Sequence, residues 1–356
     1  MTTPLADGSC AATSSSAVFR AFRPVSDVAI ANHRHFTNRA TYEAIVRQWW
    51  NGEGVVVCSD AVTHEVLSAA ASAPTLGVGT TLPALSRLKN GSSVPNTFQA
   101  NLTVAPIALS LTGNSSTEFW SDNGSVPSPL IDVYECDTVR IRVDSKLAQP
   151  STIHWHGWHV SATQDRNPMN PMNPVAAGDG RYYKFTPALG SADTYWYHPH
   201  AHGVTAGQVH RGLAGAFIVR PRVDLVPLAV REQHIFLSEL KLAADASIAS
   251  NSQRDAMKGR EGQYVLVNGA LRSTFDVRPG ETQRWKLFNA TSARYIRFAL
   301  DDHAITLIGT DGGLLAALVA RLTVLLIAPA QRSEIIVTTN VSGLSLSATS
   351  NLRALA

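Results

Sequence analysis

Cysteine is scarce in this chain. Its 356 residues hold only Cys10, Cys58 and Cys136. They form no CxxC pair and no recognisable disulfide framework, so they say little about compartment. Charge of one sign is also lacking: 30 basic and 27 acidic residues leave a net +3, with no Lys/Arg-rich run. That balance gives no electrostatic case for nucleic acid or for a membrane surface. No uncharged apolar run reaches the ~18 residues of a membrane-spanning helix. The nearest, Leu314 to Ala330, is broken by Arg321 and reads as a buried strand and its approach. Met1 to Ala17 lacks the basic start and apolar core of a signal peptide, and Ala21-Phe22 separates Arg20 from Arg23, so no twin-arginine signal is read.

What is present is an ordinary globular composition, 45% hydrophobic and 16% charged, with 24 glycines and 18 prolines. It leans to β structure with many turns, and the length suits two domains and an extra segment. Residues 1–92 carry little pattern and are expected to be an N-terminal extension, unassigned or partly disordered. Tyr42 to Trp50 has room for a helical turn or two; His33 and His35 sit in polar surroundings and read as solvated loop residues. From Phe98 the pattern changes. Phe98 to Val104 alternates like a strand, Asn123-Gly124 signals a turn, and Asp137 to Val143 alternates apolar and basic residues.

Two histidine clusters organise the chain: His154-Trp155-His156-Gly157, and Trp196-Tyr197-His198-Pro199-His200-Ala201-His202-Gly203. On a strand, residues i and i+2 share a face, so each His-x-His pair aims two imidazoles at one point while Trp155 turns the other way. Imidazole suits copper, zinc, iron and nickel. One such pair arises readily by chance; two pairs flanked by aromatics and glycine are hard to explain as ordinary core or surface histidines. The loop Gln164 to Gly180 contains Met169 and Met172, which read more simply as exposed residues than as soft copper ligands.

These clusters, with Gly207-Gln208-Val209 and Gly212 to Val219, resemble the first two copper motifs of the multicopper oxidases, the laccase and copper-resistance group. The resemblance runs from about Phe98 to the C-terminus. Val277 to Leu287, Asn289-Ala290, Asp311-Gly312-Gly313 and Ile327-Ala328-Pro329 with Arg332 and Glu334 resemble the family's middle domain, a structural spacer. Ser128 and Cys136 stand where the family usually has glycine, which questions local turn geometry but not the fold. The resemblance implies an all-β chain of two cupredoxin-like Greek-key β-sandwiches, at about 93–222 and 223–356.

For chemistry, the resemblance implies one-electron oxidation of reducing substrates at a type 1 copper, coupled to reduction of dioxygen to water at a trinuclear cluster. His154 matches the type 2 copper ligand; His156, His198 and His200 match type 3 ligands. His159, His202, Trp155 and Asp165 are candidates for the surrounding shell, and no catalytic residue beyond the ligands is expected. The other half of the pattern is not seen. No His-Cys-His occurs, and after His210 only His234 and His303 remain. The expectation is therefore half of a cluster, with type 2 and type 3 half-sites, no type 1 copper and the C-terminal copper domain missing. Dioxygen and a small reducing substrate would be its partners if a third cupredoxin domain completed it. The alternative is a non-catalytic copper-binding or copper-buffering protein. A zinc hydrolase is a remote third reading, with Asp165 the one acidic residue close in sequence to the first pair. The family is often periplasmic or extracellular, but no clear signal peptide supports a location here.

Overall fold

The computed structural model describes residues 81–356, apart from 113–114, 166–173, 225, 227–229, 272, 301–302, 340–342, 348–352 and 356. The expectations placed on residues 1–80, and on Met169 and Met172, lie outside the described residues.

The first sandwich is built from β1 (Thr97–Thr112), β2 (Ser115–Asp122), β3 (Ser128–Tyr134), β4 (Thr138–Ser145), β5 (His154–His156), β6 (Gly180–Phe185), β7 (Asp193–His198) and β8 (Gly215–Arg220), with short helices α1 (Ala162–Asp165) and α2 (Thr205–His210). One sheet has the order β2-β1-β4-β6, the other β3-β8-β7-β5. The chain passes repeatedly from one sheet to the other, the crossover habit of Greek-key sandwiches. Strand β4 shows why the sheets pack: Val139, Ile141 and Val143 point inward while Arg140 faces solvent, a period of two. Trp155, fully buried, sits at the centre of this core, edge-on to Phe185 with ring centroids 4.9 Å apart.

The second sandwich runs through β9 (Arg231–Leu240), α3 (Gln253–Lys258), β10 (Tyr264–Val267), β11 (Thr274–Asp276), β12 (Thr282–Asn289), β13 (Ile296–Leu300), β14 (Ile305–Thr310), β15 (Gly313–Leu322), β16 (Leu325–Ile327), β17 (Arg332–Thr338), β18 (Gly343–Ser347) and β19 (Arg353–Leu355). Its sheets are ordered β10-β9-β12-β17-β14-β15 and β11-β18-β19-β13-β16. Trp285, Leu287, Phe298 and Ile335 fill its core. No helix among the described residues is long and apolar enough to cross a membrane.

A third apolar cluster joins the two sandwiches. Trp196, Ala216 and Ile218 of the first meet Phe236, Phe288 and Ala290 of the second. Strand β7 is therefore buried on both faces: Tyr195 and Tyr197 enter the first core while Trp196 enters the junction. That double cover explains a strand without polar alternation.

Four features beyond the sequence reading are informative. Residues 81–91, read as part of the extension, pack on both sandwiches, with Leu82 bonded to Thr274 and Leu88 to Leu130 through backbone N–H groups. The Leu314–Ala330 stretch is not one buried strand: β15 is the edge of its sheet, with Leu318 and Val319 exposed. Between β9 and β10, residues 243–262 contain α3, started by a capping box in which Ser252 and Asp255 bond each other's backbone N–H. Cys136 retains the left-handed turn that its neighbourhood requires, at φ 65°, and its sulfur is held in a disulfide.

Candidate metal centre

Strands β5 and β7 pair antiparallel, with His154 opposite His198, Trp155 opposite Tyr197 and His156 opposite Trp196. Trp155 and Tyr197 take the core side of this ladder. His154, His156 and His198 take the other, together with Trp196. Ring centroids lie 5.5 Å apart for His154 and His156, 5.2 Å for His154 and His198, and 5.4 Å for His156 and His198. One ring nitrogen of each of the three lies within 4.8 Å of the other two. His200, past the strand end, brings its ring to 5.0 Å from that of His154, and its backbone N–H donates to Thr152 Oγ1 at 2.6 Å.

The ring hydrogen bonds decide which nitrogens are free. His154 Nδ1 faces the Asp165 carboxylate at 2.8 Å and must donate, because a carboxylate only accepts. His198 Nδ1 likewise donates to the Pro199 carbonyl at 2.7 Å. Each therefore presents an Nε2 lone pair to the centre. His156 Nδ1 stands 3.1 Å from His198 Nε2. Two nitrogens ~2.0 Å from one tetrahedral ion would be ~3.3 Å apart, so this pair needs little movement to share a metal. His200 Nδ1 is buried and has no hydrogen-bond partner among the described residues, the condition that a ligand would relieve. Copper and zinc both accept such imidazole donors.

Burial governs the protonation of two of these rings. It pushes His156 down to about 2, helped by the neighbouring His198 and Arg332, and His198 down to about 3, helped by His154. Both imidazoles stay neutral at physiological pH, as metal ligands must. Protonation near the ordinary histidine value of 6.5 therefore does not govern these two. Burial would raise the Asp165 carboxyl, but the His154 hydrogen bond and charge, with the Trp155 N–H, hold it below the usual carboxylate range.

The other candidates separate clearly. Asp165 touches the cluster through His154. Trp155 faces the core, and its backbone N–H donates to Asp165 at 3.0 Å. His202 is exposed, its ring 6.4 Å from His200, and His159 is exposed at the turn after β5. Sequence reasoning missed Thr152, which seats His200, and Trp196, whose ring centroid lies 4.8 Å from His156 and 4.4 Å from His198. It also missed Gln208, fully buried on α2, which accepts from Ser151 Oγ and donates to the Pro150 carbonyl to hold the approach to Thr152. The period-two alternation of β7 was the available signal for Trp196, and the Gly207-Gln208-Val209 motif that for Gln208; Thr152 had none.

Comparison with known proteins agrees with this layout. Multicopper oxidase family models match residues 103–224 and 237–345. Among curated relatives, the chain is 29% identical to the cell division protein FtsP of Proteus mirabilis, covering 82% of this chain and 59% of that one. It is 28% identical to a multicopper oxidase of Staphylococcus haemolyticus, covering 62% and 50%. Among solved structures, a multicopper oxidase from Campylobacter jejuni, described as a metallo-oxidase, superposes with a TM-score of 0.72 at 35% identity, over 78% of this chain and 58% of that one. A laccase from Pediococcus acidilactici gives 0.69 at 25% identity, over 79% and 62%. The chain belongs to the multicopper oxidase family, with the all-β, cupredoxin-like fold of its members. It spans between about a third and three fifths of the curated relatives it matches.

Proposed function

We propose that His154, His156, His198 and His200 are copper ligands, and that the chain supplies the type 2 and type 3 half-sites of a trinuclear cluster. The observation that carries this reading is the convergence of three imidazoles on one point, with one nitrogen of each within 4.8 Å of the others. The domain assignment is of a piece with it: residues 93–222 form the ligand-bearing cupredoxin unit and 223–356 its companion.

When bound, copper would supply the redox chemistry that couples one-electron oxidation of a small reducing substrate to reduction of dioxygen to water. The chain's own residues prepare the site. Asp165 fixes the His154 tautomer and strengthens its ring as a donor. The Pro199 carbonyl does the same for His198. Trp196 walls the rings on one side and excludes water there. No His-Cys-His is present in these residues, so a type 1 copper and the remaining ligands would have to come from a further cupredoxin domain. The non-catalytic alternative, copper binding or buffering by the four histidines, is favoured by the same missing thiolate.

Copper titration of the full chain, followed by oxygen uptake with a phenolic donor, separates these readings. We expect Cu(II) to bind stoichiometrically, to be lost in His156→Ala and His198→Ala, and to give no sustained turnover by the chain alone. Failure of the wild type to bind copper would refute the metal reading. Sustained turnover to water by the wild type, absent from both variants, would refute the need for a further domain.

A further inference from the structure

The second sandwich carries the family's spacer motif, yet one of its side chains reaches the histidine cluster. Arg332 begins β17 and is almost fully buried, at 3% exposure. Its Nε donates to the Thr194 carbonyl on β7 at 2.9 Å, and its Nη1 pairs with Asp311 Oδ1 at 2.9 Å. Nη1 also donates to the Ala330 carbonyl at 3.2 Å and Nη2 to that of Asp311 at 3.3 Å. The planar guanidinium is thus fixed from two directions, by the strand that carries His198 and by the β14–β15 turn.

The fixed guanidinium lies against the turn that follows His156. A Cβ built on Gly157 would fall 2.9 Å from Arg332 Cζ, closer still to Nη2, and Gly157 itself has φ +83°. Only glycine both adopts this turn and leaves room for the arginine. Trp196 stands in register with His156 and is itself packed with Phe236 and Phe288. The other buried charges of the junction, Arg284, Lys286 and Glu334, pair with one another and with Asp224 and Thr194.

We propose that Arg332 is a positioning residue for the metal centre: it seats the His156–Gly157 turn against β7 and so sets the direction of the His156 ring toward His198. This rests on the copper-site reading above. The second sandwich is then one wall of the site rather than an inert spacer.

The test uses the full chain, with Cu(II) as probe and three variants. In Arg332→Ala we expect Cu(II) affinity to fall ~10–100-fold, the range for residues that orient metal ligands, with altered Cu(II) EPR hyperfine coupling. Arg332→Lys keeps a charge without the planar fork; it should recover thermal stability but not the wild-type EPR signature. Glu334→Gln weakens the Lys286 and Arg284 pairs beside the Thr194 side chain without removing a partner of Arg332, and should leave affinity and spectrum as in the wild type. In metal-free protein, imidazole ¹⁵N spectra should show the His156–His198 hydrogen bond in the wild type and its loss in Arg332→Lys, an outcome independent of copper binding. Wild-type affinity, EPR and ¹⁵N spectra in Arg332→Lys would overturn the proposal. So would Glu334→Gln perturbing the site as much as the arginine variants, because docking of the sandwiches in general would then be responsible. A wild type that binds no copper overturns the copper reading alone, and the ¹⁵N comparison still decides the role of Arg332.

Discussion

Two ladders face the junction between the sandwiches, and they use the same alternation for different ends. In β5 and β7, Trp155, Tyr195 and Tyr197 enter one core, while His154, His156, Trp196 and His198 turn to the other face, where Trp196 meets the second sandwich. In β12 and β17, Trp285, Leu287, Ile335 and Val337 enter the other core, while Arg284, Lys286, Phe288, Arg332 and Glu334 turn back. The charged row is internally satisfied: Glu334 accepts from Lys286 at 2.6 Å and pairs with Arg284, which also reaches Asp224 at 2.7 Å. The imidazole row is not. His156 Nδ1 meets His198 Nε2 at 3.1 Å, but among the described residues His200 Nδ1 has no hydrogen-bond partner, and one ring nitrogen each of His154, His156 and His198 converge within 4.8 Å. Buried polar groups that satisfy one another hold a structure together; buried lone pairs left converging await a ligand.

The comparison breaks most visibly at Glu334. Replacing it with Ala leaves Lys286 and Arg284 buried beside each other without their shared carboxylate. The cost should be ~3–5 kcal/mol, read as a lower urea midpoint in metal-free protein. If unfolding is unchanged, the charged row is not structural. His198→Ala is the mirror experiment. It should weaken copper by at least ~100-fold, or ~2.7 kcal/mol, yet lower metal-free stability by less than Glu334→Ala does. A stability loss as large as that of Glu334→Ala, with copper affinity retained, would reverse the assignment of the two rows.

Asp165→Asn sharpens the contrast within the imidazole row. Asparagine still accepts from His154 Nδ1 but brings no charge to it. Copper affinity should fall ~10-fold, while Asp165→Ala, which also frees the ring, should cost more. Equal losses in the two variants would mean that charge, not orientation, is the contribution.

The ladder of the first sandwich was largely legible in the sequence. Period two puts His154 and His156 on one face and Trp155 on the other, and the second pair reads the same way. Asp165 was visible as the one nearby acid, although its bond to His154 depends on α1 folding back across the loop. The contribution of the second sandwich was not legible. Arg332 meets Gly157 through tertiary packing between strands far apart in the chain, and an Arg-Ser-Glu start to a strand looks like any solvated strand end. The exposed edge β15 failed for a related reason: an apolar run shows what burial would favour, not whether another layer is there to cover it.

A smaller effect is expected at Asp122, the counterpart of Glu334 in the first sandwich. Glu334 lies between two cations, whereas Asp122, 5% exposed, accepts from the neutral Ser128 hydroxyl at 2.6 Å. Burial raises its carboxyl to about 6 and the serine offsets only part of that. The folded protein therefore keeps a proton that the unfolded chain gives up near the ordinary aspartate value of 3.8. Stability from this group is complete below that value and is lost as pH rises through about 6, after which the penalty stays constant. Ser128→Ala removes the donor, so its cost should be greater with the carboxyl charged: ~1–2 kcal/mol at pH ~8 against less than ~1 at pH ~4.5. Asp122→Asn should flatten the dependence across the same window. Urea denaturation of both variants at the two pH values reads this directly, and equal costs for Ser128→Ala at both would show that the serine fills space rather than solvating a charge.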